Sequence, residues 1–321
     1  MNAKHLRPGF TLTDLCVAFG IALVVLALLP AIVNRAVVGA SKSQCSLNLK
    51  NIAVALITYA NTNNNQYPRT IYDPDHTATA VFSGINAPDP FKPGGPKAND
   101  VSAAMYLLLR ESGMTPAIFV CPSSPGDQYE PQGNETVKSK SNFPSPQNLS
   151  YSLNNPYPSA KAVADGWKWN GSLGTDYALA ADLNPGSAAL ATVTPAASTA
   201  TMQSVNSPNH GYRGQNVLYG DYHVAWQPSP FCGEPRPMPG GPQDNIYTSQ
   251  TAPPSVGGTP QDAHDSVLLP MATDGFRGHG PVDRTPEGKW GRNVIVGGLI
   301  LLTIILSVLL LQWRDRSQKR A

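Results

Sequence analysis

The sequence predicts an α+β protein in which a long N-terminal helix packs on an antiparallel β-sheet head, with a second apolar helix near the C-terminus. Apolar runs of membrane length occupy residues 10–33 and 294–311. Most of the 31 Pro and 28 Gly residues lie between these runs. That composition is typical of turn-rich β structure. The net charge of +2 creates no global field that would attract nucleic acid, so we expect no nucleic-acid partner.

The two apolar runs predict transmembrane helices over residues 10–33 and 293–313. The hydrocarbon core of a bilayer takes about 20 residues of helix, and both runs are close to that length. Trp290 and Trp313 bracket the second run, where indole rings suit the two membrane–water interfaces. A buried core helix is the alternative, which the length of the runs and the flanking Trp residues disfavour.

Basic residues outside the two runs set the expected topology. Lys4 and Arg7 precede the first run, and a basic tail over residues 314–321 follows the second. Lys and Arg are concentrated on the cytoplasmic side of membrane proteins. We therefore expect a two-pass protein of the cytoplasmic (inner) membrane, with both termini in the cytoplasm. The head, residues 65–289, is expected in the periplasm.

The N-terminal segment RPGFTLTD resembles the class III signal of type IV prepilins and type II secretion pseudopilins. In those families a dedicated peptidase on the cytoplasmic side cuts after a Gly and methylates the new N-terminal amine. The resemblance implies that residues 1–9 are a leader, that prepilin peptidase cuts between Gly9 and Phe10, and that Phe10 is then methylated. The apolar run after the cut is kept as a helix.

Asp14 is the fifth residue after the predicted cut, where these families usually carry Glu. A carboxylate in a membrane-spanning helix is costly unless it has a partner. Positions i and i+4 share a helix face, so Asp14 faces the same side as the amine of Phe10. The resemblance implies that this carboxylate meets the N-terminal amine of a neighbouring subunit. Other pilin-like subunits are therefore expected partners through the N-terminal helix.

We expect the helix to continue past the apolar run as an amphipathic segment over residues 34–64. Apolar residues recur there at spacings of three and four: Leu49, Ile52, Leu56 and Tyr59. This spacing places them on one face of a helix. The Asn-rich run over residues 61–65 favours the turn conformations that end a helix. A long helix laid on a globular head is the architecture of pilins, so the predicted fold is pilin-like.

Three segments resemble a narrower group, the planctomycete prepilin-like proteins with a domain of unknown function and a His-X9-Asp-Gly motif. They are SQCSLNLK over residues 43–50, FVCPSS over residues 119–124, and the stretch over residues 206–233. The match departs from the motif in two ways. Ten residues separate His210 from Asp221, and Tyr222 stands where the family has Gly.

The segment NVLYGDYHVAW predicts a β-hairpin. Two runs rich in Val, Leu, Tyr and Trp flank Gly220 and Asp221, which suit a two-residue turn. Such a turn places Tyr219 opposite Tyr222. Tyr tolerates the left-handed backbone conformation poorly, so we expect Tyr222 in a strand rather than in the turn.

Three residues of this region, His210, Asp221 and His223, are candidates for a ligand or metal cluster. We favour a scaffold role for them. Two His and one Asp without a further spaced His or Cys are a weak zinc pattern.

Three carboxylates late in the chain, Asp262, Asp265 and Asp274, are weak candidates for a calcium site. Calcium takes about six to eight oxygen ligands from clustered carboxylates and carbonyls. Three Asp residues over 13 positions, with a strand-like run between them, match no fixed calcium loop. We therefore interpret them as loop residues and expect no metal or other cofactor.

The cysteines limit the disulfides that can form. Cys16 lies in the first apolar run and should behave as a small apolar residue. Cys45, Cys121 and Cys232 should face an oxidising compartment, where at most one internal disulfide forms among them. We favour Cys45 with Cys121, which closes a loop of about 75 residues and contributes about 4 kcal/mol in the loop-entropy model. The alternative pairs Cys121 with Cys232.

No catalytic fingerprint for a hydrolase, a metalloprotease or a nucleotide-binding enzyme occurs in the chain, so we predict a protein that is not an enzyme. The resemblance implies a structural prepilin-like or pseudopilin-like membrane protein of a type II secretion or type IV pilus-like system. The alternative is a membrane-tethered periplasmic binding or scaffold module, held by two anchors, that does not polymerise. The second apolar run favours this alternative, because an assembling subunit would have to extract it from the bilayer.

Overall fold

The computed structural model describes most of the chain: residues 11–75, 79–238, 241–274 and 276. The predicted leader over residues 1–9, with Gly9 of the cleavage motif, lies outside the described residues, and so does Phe10. The same holds for the predicted C-terminal helix over residues 293–313 and for the basic tail over residues 314–321.

The described residues form an α+β protein with antiparallel sheets. The helices are α1 (Leu12–Thr62), α2 (Val101–Ser112), α3 (Ala160–Ala164) and α4 (Thr199–Gln203). The strands are β1 (Tyr151–Asn154), β2 (Ala178–Asp182), β3 (Gln215–Tyr219), β4 (Val224–Gln227), β5 (Phe231–Met238), β6 (Gly241–Asn245), β7 (Thr248–Ser249), β8 (Ser255–Val256) and β9 (Leu268–Leu269). Short 3-10 turns lie between them, and one of these, Pro208–His210, belongs to the site described below.

Helix α1 is 51 residues long and contributes to both compact units of the chain, Met1–Ser41 and Lys42–Ala321. Its start is capped by two side chains. The amide and the hydroxyl of Thr11 each donate to Asp14 Oδ2 at 2.8 Å, and the amide of Asp14 donates to Thr11 Oγ1 at 3.2 Å. This reciprocal arrangement is a capping box. Asp14 therefore has a local structural role at the first turn of the helix.

The predicted membrane topology needs correction. A span takes about 20 consecutive apolar residues of helix. None of the helices in the described part of the chain combines the length and the hydropathy needed to cross a bilayer. This finding contradicts the predicted transmembrane helix over residues 10–33. It equally contradicts the two-pass localisation in the cytoplasmic membrane that was built on it.

The central sheet contains five antiparallel strands in the order β4-β3-β2-β1-β9. Neighbouring strands pair Leu153 with Ala180, Ala180 with Leu218, and Leu218 with Val224. Residues that pair in this way project from the same side of a sheet. These four residues therefore form one continuous apolar face across β1 to β4.

That face packs on the second part of α1. The buried residues of this core include Leu49, Ile52, Leu56, Leu153 and Leu218, all of them fully buried. Three of them have the helical spacing predicted from the sequence. Each aliphatic side chain of this size contributes about 1.5–3 kcal/mol when it is buried. Beyond this segment Asn64 and Asn65 take the left-handed conformation expected where the helix ends (φ 52° and 61°).

The opposite face of the sheet supports a second core. Val217 and Tyr219 of β3 project to this side and pack with Ile246 and Tyr247, which follow the β5–β6 hairpin. The sequence of that hairpin is rich in Pro and Gly, which favours a loop, yet it pairs as two antiparallel strands. Proline is tolerated in strands where its missing N–H is not needed, as in a two-stranded ribbon.

Candidate functional site

A disulfide joins Cys45 on α1 to Cys121 in the segment before β1, with 5.3 Å between their Cα atoms. Both residues are fully buried. This is the pairing that the sequence favours, and the alternative does not form, because Cys232 is a free, buried cysteine. Burial raises the pKa of the Cys232 thiol to about 12, which makes it an inert structural residue. The disulfide closes a long loop and anchors the helix in the core.

His210 lies beside the disulfide. It ends the turn Pro208–His210, which is followed by Gly211 in the left-handed conformation (φ 64°). Its Nε2 atom is 3.8 Å from Cys121 Sγ and 3.1 Å from Asp182 Oδ2. The imidazole also meets the ring of Trp226 edge-on, with 5.4 Å between the ring centroids. The turn therefore places one nitrogen of a buried imidazole between a sulfur atom and a carboxylate.

Asp182 ends β2 and is fully buried. Its Oδ2 accepts hydrogen bonds from the amide of Asn216 at 2.7 Å and from its Nδ2 at 3.0 Å. Its Oδ1 accepts from Asn209 Nδ2 at 3.2 Å. A carboxylate without partners would be very costly at such a depth, and these donors make its burial tolerable. They also hold the carboxylate in one orientation toward His210.

Lys42 supplies positive charge near this carboxylate. Its Nζ lies 3.6 Å from the centroid of the Trp226 ring, which is a cation–π contact. Burial lowers the pKa of Lys42, and attraction by Asp182 opposes that effect. The backbone carbonyl of Lys42 also accepts a long contact of 3.5 Å from Asn216 Nδ2. The first residue of the second unit thus places a positive charge that interacts with Asp182.

Further polar groups around the site come from α1 and β1. Asn48 Nδ2 donates to the hydroxyl of Tyr151 and to the carbonyl of Val120, both at 3.1 Å. Burial raises the pKa of Tyr151 well above its ordinary value, and the negative charge of Asp182 acts in the same direction. The hydroxyl of Tyr247 donates to the carbonyl of Asp182 at 2.8 Å from the other face of the sheet. Helix, sheet and second core therefore converge on this point.

Four potential ligand atoms meet here, from Cys45, Cys121, Asp182 and His210, and all lie within 4.8 Å of one another. Across the described ranges, this is the group of His, Cys, Asp and Glu residues compact enough to hold an ion. Two sulfurs, one imidazole nitrogen and one carboxylate oxygen form a donor set that suits zinc. While the disulfide is closed, its sulfur atoms are bonded to each other and are not thiolate ligands.

The structure does not bring the candidate ligand residues His210, Asp221 and His223 together as one cluster. Asp221 and His223 lie together in the exposed hairpin loop, with 2.5 Å between Asp221 Oδ1 and His223 Nδ1. Hydrogen bonds from the amide and the ring of His223 lower the pKa of Asp221. His210 is instead buried against Asp182 at the end of the turn Pro208–His210.

The hairpin loop differs from the predicted two-residue turn. The amide of Tyr219 donates to the carbonyl of His223 at 3.0 Å, which leaves a loop of three residues, Gly220 to Tyr222. Loops of this length end on a residue in the left-handed conformation. Tyr222 takes that conformation (φ 67°), so its predicted place in a strand is wrong. Its hydroxyl lies 2.9 Å from that of Tyr67, a hydrogen bond that offsets the backbone cost.

The three predicted calcium candidates shape loops. Asp265 is buried, and its Oδ2 accepts from the amides of Gln250 at 3.1 Å and Gln261 at 2.7 Å. Asp262 Oδ1 accepts from the amide of His264 at 2.9 Å. Asp274 is exposed. None of them belongs to the compact ligand group found among the described residues.

Sequence reasoning missed Asp182 as a site residue. The signal available was a single carboxylate in the run YALAADL. The remaining residues of that run are of types that are often buried. Asn216 was also missed, because its role depends on contacts with β2 that the sequence does not show.

Comparison of the chain with protein-family models, with curated proteins and with solved structures found no match.

Proposed function

We propose that this chain is a structural, pilin-like subunit that associates with further copies through the first part of α1. The observation that supports the proposal is the division of one 51-residue helix between two units. From Lys42 onward, the helix is built into the core of an antiparallel sheet. Before Ser41, it carries large apolar side chains that face solvent. A helix that is buried in the head at one end and exposes apolar residues at the other suits a subunit that assembles by lateral contacts between helices.

The first part of α1 exposes an apolar stripe. Val17, Ile21 and Val25 recur every four residues, and 57%, 61% and 49% of their surfaces are exposed. Residues four apart lie on one face of a helix. Contiguous apolar surface of this kind is typical of an interaction site. Because the same stripe is present on every copy, side-by-side packing of helices buries it without requiring a different partner.

Asp14 suits such an assembly. It is exposed and lies in the first turn, where it caps the helix through Thr11. Under the resemblance to prepilins, cleavage after Gly9 gives Phe10 a free amine that a neighbouring Asp14 would pair with. The capping role and the pairing role use the same charged form of the carboxylate, so they are compatible.

Cross-linking through Cys16 tests this assembly. Cys16 is a free, exposed cysteine next to Val17 in the apolar stripe, whereas Cys232 is free but buried. A bis-maleimide added to cells that express the chain should give a covalent dimer, because each chain offers one accessible thiol. The dimer should vanish in Cys16→Ser and persist in Cys232→Ser. Monomers alone in the parent protein would contradict assembly and favour a binding or scaffold module that does not polymerise.

The processing step has its own test. Mass spectrometry of the N-terminal peptide from cells that carry prepilin peptidase should show a chain that starts at Phe10 with a methylated amine. Gly9→Val should block the cut, because the peptidase must approach a backbone without a side chain. A chain that still begins at Met1 or Asn2 in such cells would contradict the prepilin assignment.

A further inference from the structure

We propose that the reduced form of the site binds one Zn²⁺ ion through Cys45, Cys121, His210 and Asp182. The oxidised chain closes the same site with a disulfide. The protein would thus have two alternative cross-links between α1 and the head, one covalent and one through a metal. This inference rests on the geometry of the site and is independent of the proposed assembly through α1.

The four ligand atoms already have the spacing of a closed metal site. All lie within 4.8 Å of one another. His210 Nε2 is 3.1 Å from Asp182 Oδ2 and 3.8 Å from Cys121 Sγ. In a tetrahedral zinc site, two thiolates at the usual bond length are about 3.7 Å apart. Once the disulfide opens, side-chain rotation of the two cysteines is the main movement that zinc binding requires.

The surroundings fit a metal better than they fit two free thiols. Asn216 and Asn209 donate to Asp182 and hold its carboxylate toward His210. Groups that orient a ligand in this way are typical of metal sites. Two thiolates and one carboxylate around Zn²⁺ leave a net charge of about −1. Lys42, whose charge interacts with that of Asp182, offsets it.

The exchange between the two forms balances with a dithiol as reductant. The dithiol donates two electrons and two protons to the Cys45–Cys121 bond and leaves as a cyclic disulfide. Zn²⁺ then displaces the two thiol protons and forms two metal–sulfur bonds. The metal supplies the link that reduction removed, and metal binding of this kind stabilises the folded state directly.

Cobalt is the probe for the test, because Co²⁺ in a tetrahedral thiolate site gives characteristic visible bands and a sulfur-to-metal charge-transfer band. The full chain is unfolded and reduced with a phosphine, which does not contribute competing thiols, and is refolded with Co²⁺. We expect one Co²⁺ per chain with both types of band, and their disappearance when Zn²⁺ is added. The oxidised protein should bind none. A reduced chain that refolds without these bands, or does not refold with Co²⁺, overturns the proposal.

Variants separate this site from adventitious binding. Cys121→Ser leaves at most one thiolate and should lower the intensity of the charge-transfer band by about half or more. Asp182→Asn removes a charged ligand and should weaken Co²⁺ binding at least about tenfold, since even the loss of a group that only orients a ligand costs about that much. Cys232→Ser and His223→Ala, which alter a cysteine and a histidine outside the site, should leave affinity and spectrum unchanged. Loss of the bands in Cys232→Ser, or full affinity in Asp182→Asn, would contradict the assignment.

Discussion

Two His–Asp pairs lie in the described part of the chain, and they differ in burial although both join an imidazole nitrogen to a carboxylate oxygen. His210 and Asp182 lie 3.1 Å apart in the core, with side chains only 4% and 0% exposed. His223 and Asp221 lie 2.5 Å apart in a hairpin loop, with side chains 47% and 40% exposed. The exposed pair joins residues two positions apart. The buried pair joins a turn to the end of a strand, and three further donors surround its carboxylate.

The difference shows that burial, rather than the length of a contact, decides what a His–Asp pair does. In the low dielectric of the core, an unmatched charge is costly and a fully matched network is rigid. In water the same pair contributes little. The buried pair can therefore hold two elements in place and present a ligand set, while the exposed pair shapes one loop.

The largest expected effect comes from opening the link beside the buried pair. Replacing both Cys45 and Cys121 with Ala should lower the free energy of unfolding by about 4 kcal/mol, because the unfolded chain regains the freedom of a long loop. Denaturant unfolding monitored by circular dichroism measures the change. Cys232→Ala is the control for loss of a buried sulfur. A double variant no less stable than this control would show that the disulfide does not anchor α1.

Removing the two carboxylates gives the most direct contrast between the pairs. Asp182→Ala should cost about 3 kcal/mol of unfolding free energy, because His210, Asn209 and Asn216 lose a buried acceptor. Asp221→Ala, the matched change in the exposed pair, should cost about 0.5 kcal/mol or less. Both are read from the same denaturant titration. Equal losses in the two variants would contradict the role assigned to burial.

The hairpin loop should depend on one hydroxyl contact. Tyr222→Phe removes the hydrogen bond to the hydroxyl of the buried residue Tyr67. The change should lower the free energy of unfolding by about 1 kcal/mol. Tyr67→Phe, which removes the other hydroxyl of the same hydrogen bond, should cause a loss of similar size. Thermal or denaturant unfolding detects the difference. If Tyr222→Phe is as stable as the parent protein, the Tyr67 contact does not hold the loop.

The smallest effect concerns pH. The pKa of Asp221 lies below its ordinary value of 3.8 because His223 donates hydrogen bonds to the carboxylate. A depressed folded-state pKa adds stability above the unfolded value, and that stability is lost as the pH falls through the folded value. Below pH 3.8, the parent protein should therefore lose slightly more stability than Asp221→Asn does. Since the group is exposed, we expect about 0.5 kcal/mol or less. Parallel pH dependences in the two proteins would sink this prediction.

Local patterns predicted the parts of the fold that depend on short-range order. The spacing of Leu49, Ile52 and Leu56 gave the buried face of α1, and the Asn-rich run marked its end. The existence of the β3–β4 hairpin also followed from residue preferences. The Cys45–Cys121 disulfide could be predicted because Cys45 lies on the helix expected to pack on the head, and Cys121 lies in the head.

Long-range contacts decided the remainder. Tyr222 takes a left-handed conformation that its own preferences disfavour, because a hydroxyl of Tyr67 far away in the sequence stabilises it. Asp182 acquires its role only when β2, β3 and the His210 turn meet, so no local motif could identify it. The membrane prediction relied on the length and apolar composition of two runs and on the residues that flank them, and the described helices contradict the span over residues 10–33.

The central claim is that the first part of α1 assembles copies of this chain, and filaments test it most directly. Surface filaments are sheared from cells, separated from cell bodies, and examined by electron microscopy with an antibody against the head. The account predicts labelled filaments that contain chains beginning at Phe10 and that are lost when Val17 and Ile21 are both changed to Ser. Filaments without this chain, or an assembly unaffected by those changes, would contradict it.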